Sequence, residues 1–229
     1  MNKFYTAVGR LQVKGRLQGT RCPQVVIGHQ EYILDIQEML LWSILNWRIL
    51  EPDELQTHYE AKERETGFLS HRPMEECLNR LIQRGLVADG TGETAADALY
   101  DLLSELYIVP ISESPLLRIV SFIRLTVFQG VPFSVTKKIF GRDKRSEDEK
   151  KVMHLANQMI LSAAEIIKCF QQKAENLVSE EHMMDILYRD EYATSDNLAF
   201  MVRYFPECRP VVLSVANLYL RKQIIFERI

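Results

Sequence analysis

The sequence predicts a mainly helical α+β protein, its N-terminal part carrying a small β component and its C-terminal part built from helices. Three observations predict it. Apolar residues recur at i, i+3 and i+4 over several stretches, as amphipathic helices require. Gly and β-forming residues crowd the first 34 positions instead. Apolar residues make up 47% and charged residues 26% of the 229, enough to bury a core and too apolar for a disordered chain.

The elements follow in order. Gln24-Val25-Val26-Ile27-Gly28 and then Glu31-Tyr32-Ile33-Leu34 predict a short hairpin. Asp35 caps a first helix, and Glu38 three residues later completes a capping box with Asp in the Ser/Thr place. Ile36, Met39, Leu40, Ser43, Ile44 and Trp47 share one face of it, with Trp42 alongside. A second helix starts near Glu51, with Pro52 in its first turn, turns Leu55 and Tyr59 inward and stops before Gly67. Ser70 caps a third helix, with Pro73 in its first turn. Met74, Cys77, Leu78, Leu81 and Ile82 form its inner stripe and Gly85 ends it. Leu86-Val87-Ala88 is a short strand and Asp89-Gly90-Thr91-Gly92 a tight turn. A helix from about Thr94 to Leu106 turns Ala96, Leu99, Tyr100 and Leu103 inward, and Tyr107 to Ile111 is a strand. Ser112-Glu113-Ser114-Pro115 marks a boundary, giving domains 1–111 and 112–229.

Beyond the boundary the pattern is helical. Pro115 to Gln129 is nearly all apolar, yet it is too short for a membrane span and Arg118 and Arg124 interrupt it. After the charged stretch Gly141 to Glu149, one stripe from Val152 to Phe170 predicts a single helix over 146–174, about 40 Å long. Further helices start near Ser179 and Thr194, and Pro206 and Pro210 bracket a break before the last one.

Three helices, the third leading at once into Gly-Leu-Val and a turn, give the order of a helix-turn-helix core entering a wing. The stretch Ser70 to Val87, SHRPMEECLNRLIQRGLV, resembles the recognition helix of bacterial winged helix-turn-helix transcriptional regulators. The inward residues Met74, Leu78 and Leu81 carry the resemblance, with the basic-Gly-Leu exit Arg84-Gly85-Leu86. It covers roughly residues 32 to 92. It implies that helix 70–84 enters the major groove of double-stranded DNA. Ser70, His71, Arg72, Asn79, Arg80, Gln83 and Arg84 are then the DNA-binding residues. Arg72 is placed to read guanine and Asn79 or Gln83 to read adenine, with Arg80 or Arg84 on phosphate. The alternative is that the same polar residues are a solvated helix face. The wing position also departs from the usual basic hairpin, since Asp89-Gly90-Thr91-Gly92 leads straight into a helix.

Charge weighs against nucleic acid overall and across the helix-turn-helix segment, and for it only in two other stretches. The chain is −3 in total. From Glu51 to Arg84 eight acids face five bases, 5 − 8 = −3, where phosphate attraction would want the opposite sign. Residues 1–30 carry Lys3, Arg10, Lys14, Arg16 and Arg21 with no aspartate or glutamate, +5. Arg10, Lys14, Arg16 and Arg21 are either an arm that tracks phosphates or the surface of a plain hairpin. Residues 137–151 carry seven bases against four acids, 7 − 4 = +3, and are read as an exposed loop.

No catalytic constellation is visible. His29, His58, His71, His154 and His182 lack metal-ligand spacing, and Gly90-Thr91-Gly92 lacks the rest of a phosphate loop, so no metal or cofactor is expected and the chain is read as no enzyme. Cys22, Cys77, Cys169 and Cys208 stand alone, as reduced cytoplasmic thiols do. The first residues hold no apolar signal core. The expected function is a DNA-binding transcriptional regulator, a homodimer through a C-terminal helical bundle that dimerises or senses an effector. The alternative is a non-catalytic protein-protein interaction module on a winged-helix scaffold.

Overall fold

The computed structural model describes residues 1–17, 20–67, 72–111, 145–189, 192–194 and 196–228, with the side chains of 13–17 and 20–23 outside that description. Among these residues the chain is mixed α and β, nine helices around three small sheets. The apolar stretch 115–129, the boundary at 112–115 and most of the basic stretch 137–151 lie outside the described residues.

The first sheet joins distant segments. β1 (Asn2–Ala7) runs antiparallel to β5 (Val87–Gly92), with Asn2 opposite Gly92 and Ala7 opposite Val87. The expected tight turn at 89–92 is therefore a strand. Pairing with β1 makes it so, and its glycines answer to α4 (Ala95–Leu103), which lies almost on the strand's backbone. A Cβ on Gly90 would sit 2.3 Å from the Leu102 nitrogen, so the residue is glycine for close approach rather than for a bend. The second sheet, β2 (Arg10–Leu17), β3 (Thr20–Ile27) and β4 (Gln30–Ile33), contains the expected hairpin as its β3–β4 pair.

Three helices fill the space between β4 and β5. α1 (Ile36–Leu45) starts at Asp35, whose carboxylate accepts the Glu38 N–H while Glu38 accepts the Asp35 N–H, as the capping box predicts. Its buried apolar residues are Leu41, Trp42, Ile44 and Leu45; of the predicted stripe Ile44 is buried and Met39 and Leu40 pack partly buried against the core. Ile36 is 69% exposed, and Trp47 falls beyond the helix at φ 56°. Apolar residues lie all round this helix, so periodicity alone does not choose a face. The choice follows from Trp42, whose Nε1 donates to the Val8 carbonyl at 3.1 Å. α2 (Pro52–Thr66) buries Leu55 and Tyr59 and ends on Gly67 at φ 61°, a left-handed cap that glycine adopts without strain.

α3 (Met74–Gln83) begins four residues later than predicted. Pro73 stands at its N-cap, and the residue before a proline is disfavoured in helical geometry, so Arg72 cannot belong to it. Cys77, Leu78 and Leu81 are buried as the stripe requires. In α4 the inner residues are Ala98, Tyr100, Leu102 and Leu103, while Ala96 is exposed.

The remaining elements are β6 (Tyr107–Pro110), α5 (Glu147–Gln158), β7 (Leu161–Ser162), α6 (Ala163–Gln171), α7 (Glu180–Tyr188), α8 (Leu198–Val202), α9 (Cys208–Leu220) and β8 (Ile224–Glu227). The single long helix over 146–174 is thus two. Met159 is extended (φ −147°, ψ 153°), and Ser162 with Glu165 forms a capping box that starts α6 afresh. Pro210 does not break the last helix but occupies its first turn, where its missing N–H costs no helical bond.

β8, which periodicity does not reveal, pairs with β6 over Tyr107 to Pro110, and β7 flanks β6 on the other side. One buried core runs through the nine described helices and every described strand but β2 and β4. Tyr219 on α9 is its main polar tie. It stacks on Phe226 at 4.2 Å, its hydroxyl accepts the Trp47 N–H at 2.9 Å, and it lies 3.3 Å from the Ala7 carbonyl and 3.4 Å from that of Leu45. Burial pushes this phenol up to about 12, so the hydroxyl stays protonated and able to donate.

Candidate interaction face on the third helix

The capping box of α1 also organises the charges of α3. Asp35 accepts Arg72 Nη1 at 2.7 Å, and Arg72 Nε also reaches Glu76 at 3.5 Å. Glu38 is buried, 1% exposed, and takes two arginines. Arg84 donates to its Oε2 at 3.0 Å, and Arg80 Nε lies 2.8 Å from Oε1 as an ion pair rather than an aligned hydrogen bond. Arg84 also donates to the Ile33 carbonyl at 2.9 Å and stands over the Tyr32 ring.

A buried carboxylate left without such partners would be strongly unfavourable, so these guanidinium groups are part of what lets α3 pack on α1. Burial pushes the Asp35 carboxyl up, but the Glu38 N–H and Arg72 outweigh it and hold the group below its ordinary value. In return the hydrogen bond to Asp35 raises Arg72 further. The neighbouring Cys77 thiol is pushed up by burial and is not a reactive thiolate.

The residues expected to touch DNA therefore divide. Arg72, Arg80 and Arg84 hold carboxylates of their own chain. Asn79 and Gln83 are exposed, and with them Glu75 and Glu76 face outward. Ser70 and His71 lie outside the described residues. Arg10 is exposed at the start of β2. The backbones of Lys14, Arg16 and Arg21 belong to the β2–β3 hairpin, and their side chains lie outside the described part.

Each of the five bases between Glu51 and Arg84 has a carboxylate within reach. Besides the three arginines of α3, Lys62 pairs with Glu65 at 2.6 Å and Arg64 with Glu60 at 3.7 Å. A polar cleft of about 460 Å³ separates α2 from the start of α3, and Glu60, Glu63 and Glu75 line it with Tyr59 and Met74. Two large apolar residues flank Asp35, the partner of Arg72: Ile33 is 62% and Ile36 69% exposed. The apolar periodicity of α1 turns Ile36 inward, against its observed exposure.

No group of three or more His, Cys, Asp and Glu among the described residues converges on a point that would hold a metal ion. Cys77, Cys169 and Cys208 are buried and unbridged, and burial pushes Cys169 up to about 12 and Cys208 to about 11. No described helix is long and apolar enough to cross a membrane. Comparison with family models, with curated proteins and with solved structures gave no match, which leaves the winged-helix resemblance resting on the residues that carry it.

Proposed function

We propose that the chain is a non-catalytic protein-interaction module whose α2–α3 face engages a basic protein. The observation that carries this reading is the engagement of every base between Glu51 and Arg84 by a carboxylate, while Glu75 and Glu76 face outward. Such a face repels phosphate and attracts lysine and arginine. Ile33 and Ile36 supply the apolar contact that protein interfaces place beside charged rims.

The test is quantitative affinity purification of the full chain beside two variants, Glu75→Lys with Glu76→Lys, and Ile36→Asp. One stoichiometric, nuclease-resistant protein should be retained by the wild type and lost from both. An unchanged set of retained proteins would overturn the reading.

A second reading, a DNA-binding regulator, is favoured by one feature, the β2–β3 hairpin with Arg10, Lys14, Arg16 and Arg21 in a segment free of aspartate and glutamate. In that reading the hairpin grips phosphate and helix α3 is secondary. Gel shifts with genomic fragments at low salt separate the two: binding that collapses on Lys14→Glu with Arg16→Glu, and survives Glu75→Lys with Glu76→Lys, supports DNA.

A further inference from the structure

On another face of the molecule α4 and α9 leave a groove of about 600 Å³, the size of a site for a small organic ligand. Its walls are apolar, with Leu99 from α4, Val212 and Ala216 from α9 and Phe4 from β1. Leu213 and Leu220 continue the α9 wall and stand 46% and 48% exposed.

Its charges are gathered at one end. Arg203, just after α8, and Arg209, in the first turn of α9, both line it. Asp97 is the carboxylate among the described lining residues. It already accepts the Thr94 N–H and hydroxyl at the start of α4, and it reaches Arg203 only at 3.7 Å. Those contacts hold the Asp97 carboxyl below its ordinary value, the Thr94 hydroxyl contributing most. Among the described lining residues two guanidinium groups stand against one carboxylate, a surplus of one positive charge in the lining itself, with Glu207 at the start of α9 outside it. From Arg209 to Leu220 the helix carries the groove about 16 Å away from that charge along an apolar wall.

We propose that this groove binds an amphipathic monoanion, a carboxylate with an unbranched apolar tail. The carboxylate sits between Arg203 and Arg209, where a planar guanidinium matches both of its oxygens. The tail lies along Leu213, Ala216 and Leu220. A concave wall with all its charge at one end fits a molecule with a head and a tail.

Isothermal titration calorimetry of the full chain with decanoate, with decanol and with decyltrimethylammonium tests the assignment, with sedimentation giving the mass of the free protein. Decanoate should bind saturably, one per chain, at least about tenfold more tightly than decanol, with no measurable binding of the cation. Arg209→Gln, at an exposed position, should weaken decanoate by about tenfold and leave decanol and the melting temperature unchanged. The proposal is overturned by the absence of saturable decanoate binding below its micellar concentration, or by equal affinity for decanol. It is equally overturned by a dimer that Leu213→Glu dissociates, which would assign the groove to a second copy.

Discussion

Tyr219→Phe isolates one hydroxyl at the centre of the molecule. Tyr219 is 1% exposed, and its ring stacks on Phe226 with 26° between planes, so phenylalanine keeps the packing and leaves no cavity beyond one oxygen. What disappears is the acceptor for the Trp47 N–H, 2.9 Å away, and the donor shared by the Ala7 and Leu45 carbonyls. Trp47 is held at φ 56°, where a non-glycine residue is rarely found without outside support. An orphaned buried amide costs about 1–3 kcal/mol, and that is the expected loss of unfolding free energy. Tyr219→Ala removes the stacked ring as well and should cost about 3–5 kcal/mol. Tyr204→Phe, at a ring 77% exposed, is the control and should stay within about 0.5 kcal/mol of the wild type. Urea titration followed by circular dichroism and by the fluorescence of Trp42 and Trp47 gives these values. A Tyr219→Phe loss below about 0.5 kcal/mol would refute the reasoning, since Trp47 would then hold its conformation without the phenol.

Two glycines should respond in opposite ways. Gly90→Ala forces a methyl to within 2.3 Å of the Leu102 nitrogen and 2.6 Å of the Ala98 carbonyl oxygen, so a loss at the upper end of about 1–3 kcal/mol, or beyond it, is expected in thermal melts. Gly67 has open space around it and needs only a left-handed residue, so Gly67→Asn should leave the melting temperature nearly unchanged. Asp35 supplies a pH dependence. Its carboxyl is held below the ordinary value of 3.8 when folded, so its contribution is complete above that value and is lost as pH falls through the lower, folded one. Asp35→Asn keeps a competent cap but loses the charge opposite Arg72. Its stability should therefore fall less between neutral pH and pH ~3 than that of the wild type in acid titrations of unfolding.

Local signals in the sequence carried far, and they failed where a partner lies elsewhere in the chain. Asp35 with Glu38, Pro52, Gly67 and the Cys77-Leu78-Leu81 stripe act within a few residues of themselves, and each does what its local chemistry demands. Asp89 to Gly92 has the composition of a turn, but β1, more than eighty positions earlier, makes it a strand, and no local pattern encodes that pairing. The break between α5 and α6 was legible in Ser162 and Glu165, yet a continuous apolar stripe masked it. The candidate face turned on the same distinction. That Arg72, Arg80 and Arg84 point outward from a helix could be read from spacing. That Asp35 and Glu38, some forty positions back, hold them could not. Arg203 and Arg209 belong to no motif and acquire a shared meaning only when α4 closes the groove beside them.

β8 is made long after the segments it anchors. The Phe226 carbonyl accepts the Gly9 N–H at 2.7 Å, and the Glu227 carboxylate accepts the Gly28 N–H at 2.6 Å across 199 positions of sequence. A ribosome adding about 5–20 residues per second reaches that partner roughly 10–40 s after Gly28 is joined. For that interval the two ends of the β2–β3 hairpin lack their final anchors, and β6 lacks β8. The hairpin segment, free of aspartate and glutamate, is thus anchored only after Ile224 to Glu227 has been made, and until then the growing protein must keep the open β6 edge apart from its neighbours.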